Sequence, residues 1–352
     1  MSHAGFIRPI ALVAAFMFIQ ISAASAQQGA ELFRGKEVSI LIGTGPAGGY
    51  DISARILARH FGRFIPGNPN VLARNVPGAG GLRLANQIYN VSPKDGTELG
   101  MFPTSVAMEP LFGNKQAKYE TTKFTWIGNM DSGSADSCGT WKHSGIKTWE
   151  DLKNRETTFG SAGPGAVSSI NPKVIAALLG LKTKVILGYT STHNVINAAM
   201  RGELDGSCAL NITATYAEFK DQVANGELTV WISFGRQRAK EFPNAPTIYE
   251  LVKNEDDREV AQLVYGQNLI NRPISAPPGV SAGVTRVLRT AFTATMADPA
   301  FRADSARANA SVNSMTGEET QKAYEAFYKV TQSVVERTIM IEGRNPDEAQ
   351  SQ

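Results

Sequence analysis

The chain is poor in the residues that most catalytic and metal sites need. It has 2 cysteines and 4 histidines in 352 residues. The histidines (His3, His60, His143, His193) are scattered without close ligand spacing, and two lone cysteines cannot cage a zinc ion, so no metal is expected. There is no G-x-S-x-G and no H-E-x-x-H, which leaves the two commonest hydrolase signatures unrepresented. Strong charge of one sign is also missing: 35 basic residues face 32 acidic ones, and no basic stripe suits a nucleic acid. After the first 26 residues no apolar run approaches membrane length, which predicts a soluble mature chain. No internal repeat and no low-complexity segment is present.

What is present begins with Met1 to Ala26. This segment has one charge, Arg8, then an apolar run from Ile10 to Ile21, and closes on Ala24-Ser25-Ala26. That is the three-part form of a secretory signal peptide, with cleavage expected after Ala26. A twin-Arg pair and a cysteine at the cleavage site are both missing, so export as an unfolded chain without a lipid anchor is expected.

From Val38 the chain alternates strand and helix signals. Val38 to Ile42, Val71 to Ala73, Glu98 to Phe102 and Phe124 to Met130 read as strands, with helical spacing at Ile52, Ile56, Leu57 and Phe61 and again at Leu84, Ile88 and Tyr89. A polar break, Asp131-Ser132-Gly133-Ser134, precedes a second alternation. There Thr158 to Gly160, Val185 to Leu187, Ser207 to Leu210 and Leu228 to Phe234 are strands, and Val174 to Leu179 and Val195 to Met200 lie on helices. After Ala276-Pro277-Pro278-Gly279, three helical stretches are predicted, near 281–296, 299–308 and 317–341, with a polar tail that frays from Glu342. The pattern predicts an α/β protein of two doubly wound halves.

Three glycine loops each follow a strand and precede a helix. Gly43-Thr44-Gly45-Pro46-Ala47-Gly48 matches the dinucleotide fingerprint G-x-G-x-x-G. The second strand ends Ala73-Arg74-Asn75 without the acidic residue that would hold a ribose, and an exported chain meets little nicotinamide. The physics beneath the motif survives: backbone N–H groups at a helix start favour an anion. Asn75-Val76-Pro77-Gly78-Ala79-Gly80-Gly81 and Ser161-Ala162-Gly163-Pro164-Gly165 repeat the arrangement. None of the three contains Lys or Arg, so an anion is expected to be held mainly by neutral donors. Asp51 reads first as a helix cap. For Tyr50 two readings stand: a ring packed on its own helix, or one that meets the ligand.

Taken together, Gly48-Gly49-Tyr50-Asp51, Asn75 to Gly81, Asp95-Gly96-Thr97, Ser161 to Gly165, Arg201-Gly202-Glu203-Leu204-Asp205, Pro246-Thr247 and Ala276-Pro277-Pro278-Gly279 resemble, in order, the periplasmic receptors of tripartite tricarboxylate transporters, also called Bug proteins. The resemblance implies a type II periplasmic-binding-protein (Venus flytrap) fold, α/β in class, with two doubly wound lobes closing on a ligand. One lobe would span 27–131 and 263–352, the other 132–262. It implies a cofactor-free, monomeric receptor, not an enzyme, that captures a di- or tricarboxylate, aromatic carboxylate or acidic amino acid in the periplasm. The captured acid would pass to membrane permease subunits. Carried over, the ligand-lining residues are Gly48, Gly49, Tyr50, Asp51, Gly80, Thr104 and Ser105 on one lobe and Ser161, Ala162, Gly165, Tyr189 and Thr190 on the other. The alternative is a secreted oxidoreductase or hydrolase using the same cleft. The implied topology also runs the strand entering the second lobe antiparallel beside that lobe's third strand, which would pair Cys138 with Cys208 as a disulfide. Two buried free thiols are the other outcome, because a one-residue slip turns the side chains to opposite faces.

Overall fold

A computed structural model describes residues 32–344 except Ala47, Ser134, Ala162, Pro164, Gly165, Thr190 and Ser191. The signal peptide and its cleavage point lie outside the described residues. Among them the strands run β1 (Glu37–Ile42), β2 (Asn70–Asn75), β3 (Glu98–Met101), β4 (Thr125–Asn129), β5 (Asp136–Trp141), β6 (Thr157–Ser161), β7 (Thr183–Leu187), β8 (Gly206–Asn211), β9 (Leu228–Ser233), β10 (Pro273–Ala276) and β11 (Met315–Thr316). They form two sheets, ordered β11-β4-β10-β3-β1-β2 and β7-β6-β8-β5-β9. Each sheet belongs to its own compact unit. The first comprises 32–106, Lys118–Met130 and Arg272–Gln321; the second comprises Ala107–Ala117, Asp131–Asn271 and 322–344.

In the first unit β1 pairs parallel with β2 and β3, while β10 runs antiparallel between β3 and β4. β1 is buried from Val38 to Ile42 because helices cover both of its faces, the usual condition of a central parallel strand. The Gly49–Phe61 helix buries Ala54, Ile56, Leu57 and Phe61 in the same core as Val38, Ile40, Leu99, Ile274 and Phe292. Gly128 on β4 exists to admit Phe292, whose ring occupies the space a Cβ would need.

The second unit pairs β6 parallel with β7 and β8, and β5 antiparallel with β8 and β9. Cys138 on β5 is bonded to Cys208 on β8. Across these strands Ser137 faces Leu210 but Gly139 faces Ser207, so the register slips by one residue at Cys138. Continued unshifted, the first register would set Cys138 opposite Ala209; the slip sets it opposite Cys208.

Three expectations need correction. The predicted helix over 317–341 is two helices, Gly317–Phe327 and Gln332–Glu342. Between them Thr331 is extended (φ −72°, ψ 154°), and Tyr328 in the break gives its hydroxyl to the Ala107 carbonyl at 2.8 Å. The predicted fraying from Glu342 does not begin there. Glu342 is buried, its carbonyl accepts from Lys173 Nζ at 2.8 Å, and its carboxylate pairs with Arg344, which also reaches Glu109 at 3.0 Å. Finally, Ala107–Ala117, 263–271 and 322–344 fall in the second compact unit, whereas the lobe bounds implied by the resemblance placed them with the first. The cause is side-chain chemistry: Arg337 pairs with Asp257, and the Gln332–Glu342 helix lies against the Glu255–Gly266 and Val167–Leu179 helices.

Candidate functional site

In the first unit, three loops leave the carboxyl ends of the parallel strands β1, β2 and β3 side by side. They touch at backbone distance. A Cβ on Gly43 would stand 3.2 Å from Gly81 Cα and 3.0 Å from Phe102 Cβ, and one on Gly81 would stand 2.8 Å from Pro103 Cδ. Gly81 also has φ +106°, a conformation that side chains with a Cβ rarely adopt. Only glycines permit this junction, and it brings Gly48, Gly49, Tyr50, Gly80, Thr104 and Ser105 to one edge of the sheet.

The Gly49–Phe61 helix starts there with Gly48 as its cap residue (φ −82°, ψ 167°), and no side chain caps its first turn. Asp51 is therefore not the cap that its position suggested. It sits inside the first turn, buried, with its carboxylate accepting from Arg55 Nε at 3.0 Å and from Asn75 Nδ2 at 2.8 Å. Asn75 Nδ2 also reaches the Thr44 carbonyl at 3.0 Å. Asp51 thus braces the first glycine loop against the end of β2. The helix start is left with donor N–H groups, a positive dipole end and exposed glycines at Gly48 and Gly49.

Tyr50 reaches two segments beyond its own helix. Its hydroxyl accepts the Thr104 N–H at 3.3 Å, tying the first loop to the loop after β3. Its ring carries the Arg272 guanidinium, with Cζ 4.1 Å from the ring centroid. Thr104 is buried and Ser105 is exposed. Arg272 is the residue that sequence reasoning missed. It lies 222 positions from Tyr50, just before β10, and has φ +121°. A non-glycine residue held there costs on the order of 1–3 kcal/mol.

The second unit presents the carboxyl ends of β6, β7 and β8 together with the start of β5. Ser161 is fully buried; its hydroxyl donates to the Gly163 carbonyl at 2.9 Å and lies 3.1 Å from Ser168 Oγ. Like Asp51, it shapes a loop from behind. Ala162, Gly165 and Thr190 lie outside the described residues. Tyr189 donates its N–H to the Ser161 carbonyl at 3.3 Å and lines a cleft of about 280 Å³ with Gly188, Asn194, Asn197 and Arg201. Among the described residues no group of three or more His, Cys, Asp or Glu could hold a metal ion.

Asp136 opens β5 opposite Asn211 at the end of β8. Part of the residue reaches solvent, yet burial around the carboxyl raises its pKa from 3.8 to about 6. A raised folded-state pKa means that the favourable state is the protonated one. The stability it confers is complete below pH about 4 and is lost as pH rises through about 6. Two units correspond to about 3 kcal/mol, which partial solvent contact reduces to about 1–2 kcal/mol. Asp136→Asn is therefore expected to stabilise the second unit by about that amount at pH 8 and to change nothing at pH 4. Urea melts at both pH values check this; equal effects at the two would refute it.

Comparison with known proteins gives one consistent result. Residues 55–339 match the model of the tripartite tricarboxylate transporter family receptor. A UPF0065 protein of Cupriavidus necator is 25% identical over 315 residues, covering 86% of this chain and 87% of its own. Among solved structures, a TctC solute-binding protein from Polaromonas superposes with a TM-score of 0.67 at 17% identity, over 86% of this chain and 99% of that one. A Rhodopseudomonas palustris protein solved with adipate superposes with a TM-score of 0.58 at 16% identity, over 87% and 97%. The fold is that of these periplasmic binding proteins, two α/β lobes each built on its own sheet.

Proposed function

Because the chain belongs to the tripartite tricarboxylate transporter receptor family, we propose that it captures a small organic acid in the periplasm and delivers it to the membrane subunits of such a transporter. It does so as a receptor without a cofactor. The observation that carries this reading is the uncapped start of the Gly49–Phe61 helix, set among glycine loops at the carboxyl edge of a parallel sheet. The first N–H groups of a helix lack intrahelical acceptors, and a carboxylate suits them. Hydrogen bonds to a charged acceptor contribute about 1.5–3 kcal/mol each, so a few suffice for micromolar binding.

Gly48, Gly49, Tyr50, Gly80, Thr104 and Ser105 are the proposed ligand-lining residues of the first unit. Tyr189, with Ala162, Gly165 and Thr190, serves the second. Asp51 and Ser161, also named by the resemblance, are in addition bonded within the protein and brace these loops. A similar fold solved with adipate supports testing dicarboxylates first.

The test is a thermal-shift screen with succinate, malate, adipate, citrate and benzoate. A ligand at 100 times its Kd should stabilise the protein by about 2.7 kcal/mol, a shift of several degrees. No shift with any acid of the panel would overturn the reading.

A further inference from the structure

The Gly49–Phe61 helix begins at the first glycine loop and leads, at its far end, to a charged patch outside the proposed ligand loops. Arg55, Arg59 and Arg63 recur every four residues along it and along the Gly62–Phe64 turn that continues it. They therefore share one side of the helix, with a rise of about 6 Å between them. The acids that meet Arg59 and Arg63 come from elsewhere: Asp304 from the Pro299–Arg307 helix and Asp298 from its cap. Asp304 accepts from Arg59 Nε at 3.0 Å and Nη2 at 2.8 Å, and from Arg307 Nη2 at 3.0 Å. It also meets His60 Nε2 at 3.0 Å. Asp298 accepts from Arg63 Nη2 at 2.7 Å.

The pairs are layered. The Asp298 and Asp304 side chains are 17% and 18% exposed, whereas those of Arg63, Arg59 and Arg307 are 52%, 54% and 71% exposed. The acids are thus the inner layer and the guanidiniums the outer one. Each of the three guanidiniums is anchored through Nη2, and Nη1 of each makes no hydrogen bond among the described residues. Basic residues suit the end of a helix, and ion pairs can clamp two helices together. Neither role calls for three arginines on two acids, nor for all three to be outermost. The outer layer is a set of donors oriented in advance, so little side-chain freedom is left to lose when a partner arrives.

We infer that Arg59, Arg63 and Arg307 form a docking surface for a protein partner that presents a row of carboxylates, the acidic periplasmic face of a membrane subunit. The inference rests on the receptor reading for the identity of that partner. Three guanidiniums that share two carboxylates leave a formal excess of one positive charge. An anionic lipid surface responds to net charge and finds little here. A carboxylate at contact distance instead meets planar, directed N–H groups that Asp298 and Asp304 leave available. Arg59 lies about 15 Å along the helix from Gly49, so a partner seated on this layer leaves the first glycine loop uncovered.

The experiment uses the full mature chain and inner-membrane vesicles of the organism that encodes it. It measures receptor-dependent uptake of a labelled acid that the wild type binds. Arg59, Arg63 and Arg307 are replaced together by glutamine. Asp298 keeps the Phe301 N–H at 2.9 Å and Asp304 keeps His60, so neither acid is stranded. Acid affinity is expected to stay within about twofold, while the receptor concentration for half-maximal uptake rises about tenfold or more. Raising the salt concentration should weaken uptake with the wild type and leave the variant unchanged, because salt screens exposed charges. Arg307→Gln alone, at the most exposed position, should cost about threefold and serves if the triple variant does not fold. Unchanged uptake with a folded variant overturns the docking surface and leaves the receptor reading standing. Binding of the wild type to protein-free phosphatidylglycerol vesicles, lost in the variant, assigns the layer to lipid and overturns the protein partner. A wild type that binds an acid but promotes no uptake overturns delivery to a membrane subunit and this inference with it.

Discussion

Replacing Cys138 and Cys208 together by serine will destabilise the second unit by about 4 kcal/mol in the chain-entropy account of cross-links. The bond closes a loop with a sequence separation of 70 residues, running from within β5 through β6 and β7 into the first half of β8. Without it the unfolded chain regains the freedom of that whole loop. For a unit of this size the loss corresponds to a fall in melting temperature of roughly 10 °C. The native contacts change little, because both cysteines are buried on strands that stay paired through their backbones. Calorimetry of the oxidised protein and of the double variant checks the magnitude, and thiol titration of denatured, unreduced protein checks the bond. Two free thiols per chain, or coincident melting curves, would refute the prediction.

Gly81→Ala should cost about 3 kcal/mol, while its neighbour Gly80→Ala should cost about 1 kcal/mol. Both residues have positive φ, so both substitutions carry a conformational penalty. Only at Gly81 does the new methyl have nowhere to go: it would meet Pro103 Cδ at 2.8 Å and Val106 Cγ2 at 3.3 Å. A Cβ on Gly80 meets nothing within 4 Å. Pro103 immediately precedes Thr104, whose N–H anchors Tyr50, so Gly81→Ala should also weaken ligand binding by displacing that anchor. Urea denaturation of the two variants under one set of conditions separates the contributions. Equal losses would mean that backbone conformation alone decides, and that the close junction of the loops is not tight.

These positions also mark what a sequence can and cannot disclose. The strands of the parallel cores were legible because their apolar runs are short and end in glycine, as at Val38 to Ile42. The glycine loops were legible as turns, but not that Gly43 and Gly81 lie against one another, since contact between loops is written in no local pattern. Asp51 looked like a cap because it follows two glycines; its partner four residues on, Arg55, draws it into the helix instead. Ser161 was legible as the start of the third glycine loop, but not that Gly163 and Ser168 enclose its hydroxyl. Arg272 could not be read at all. It is one of 35 basic residues, and only the insertion of β10 beside β3 carries it to Tyr50. The expected single helix over 317–341 kept its period across the break, so periodicity could not reveal that Tyr328 turns aside to reach Ala107.

The position of β10 bears on when the protein can fold. Among the described residues β4 pairs with β10 and β11, and β10 is the member that joins it to β3. As the chain emerges from the ribosome, β1, β2 and β3 can pair at once, but their sheet ends at a raw edge on β3. β4 waits detached until Ala276 of the 352 residues has been made. The helix at Gln332–Glu342, which completes the second unit, comes later still. The first sheet stays open at β3 until β10 is made, whereas the second has all five strands by Ser233 and lacks only its later helices. The first sheet of such a chain is thus knit together from both ends of its sequence, and its closing strand is among the last to be made.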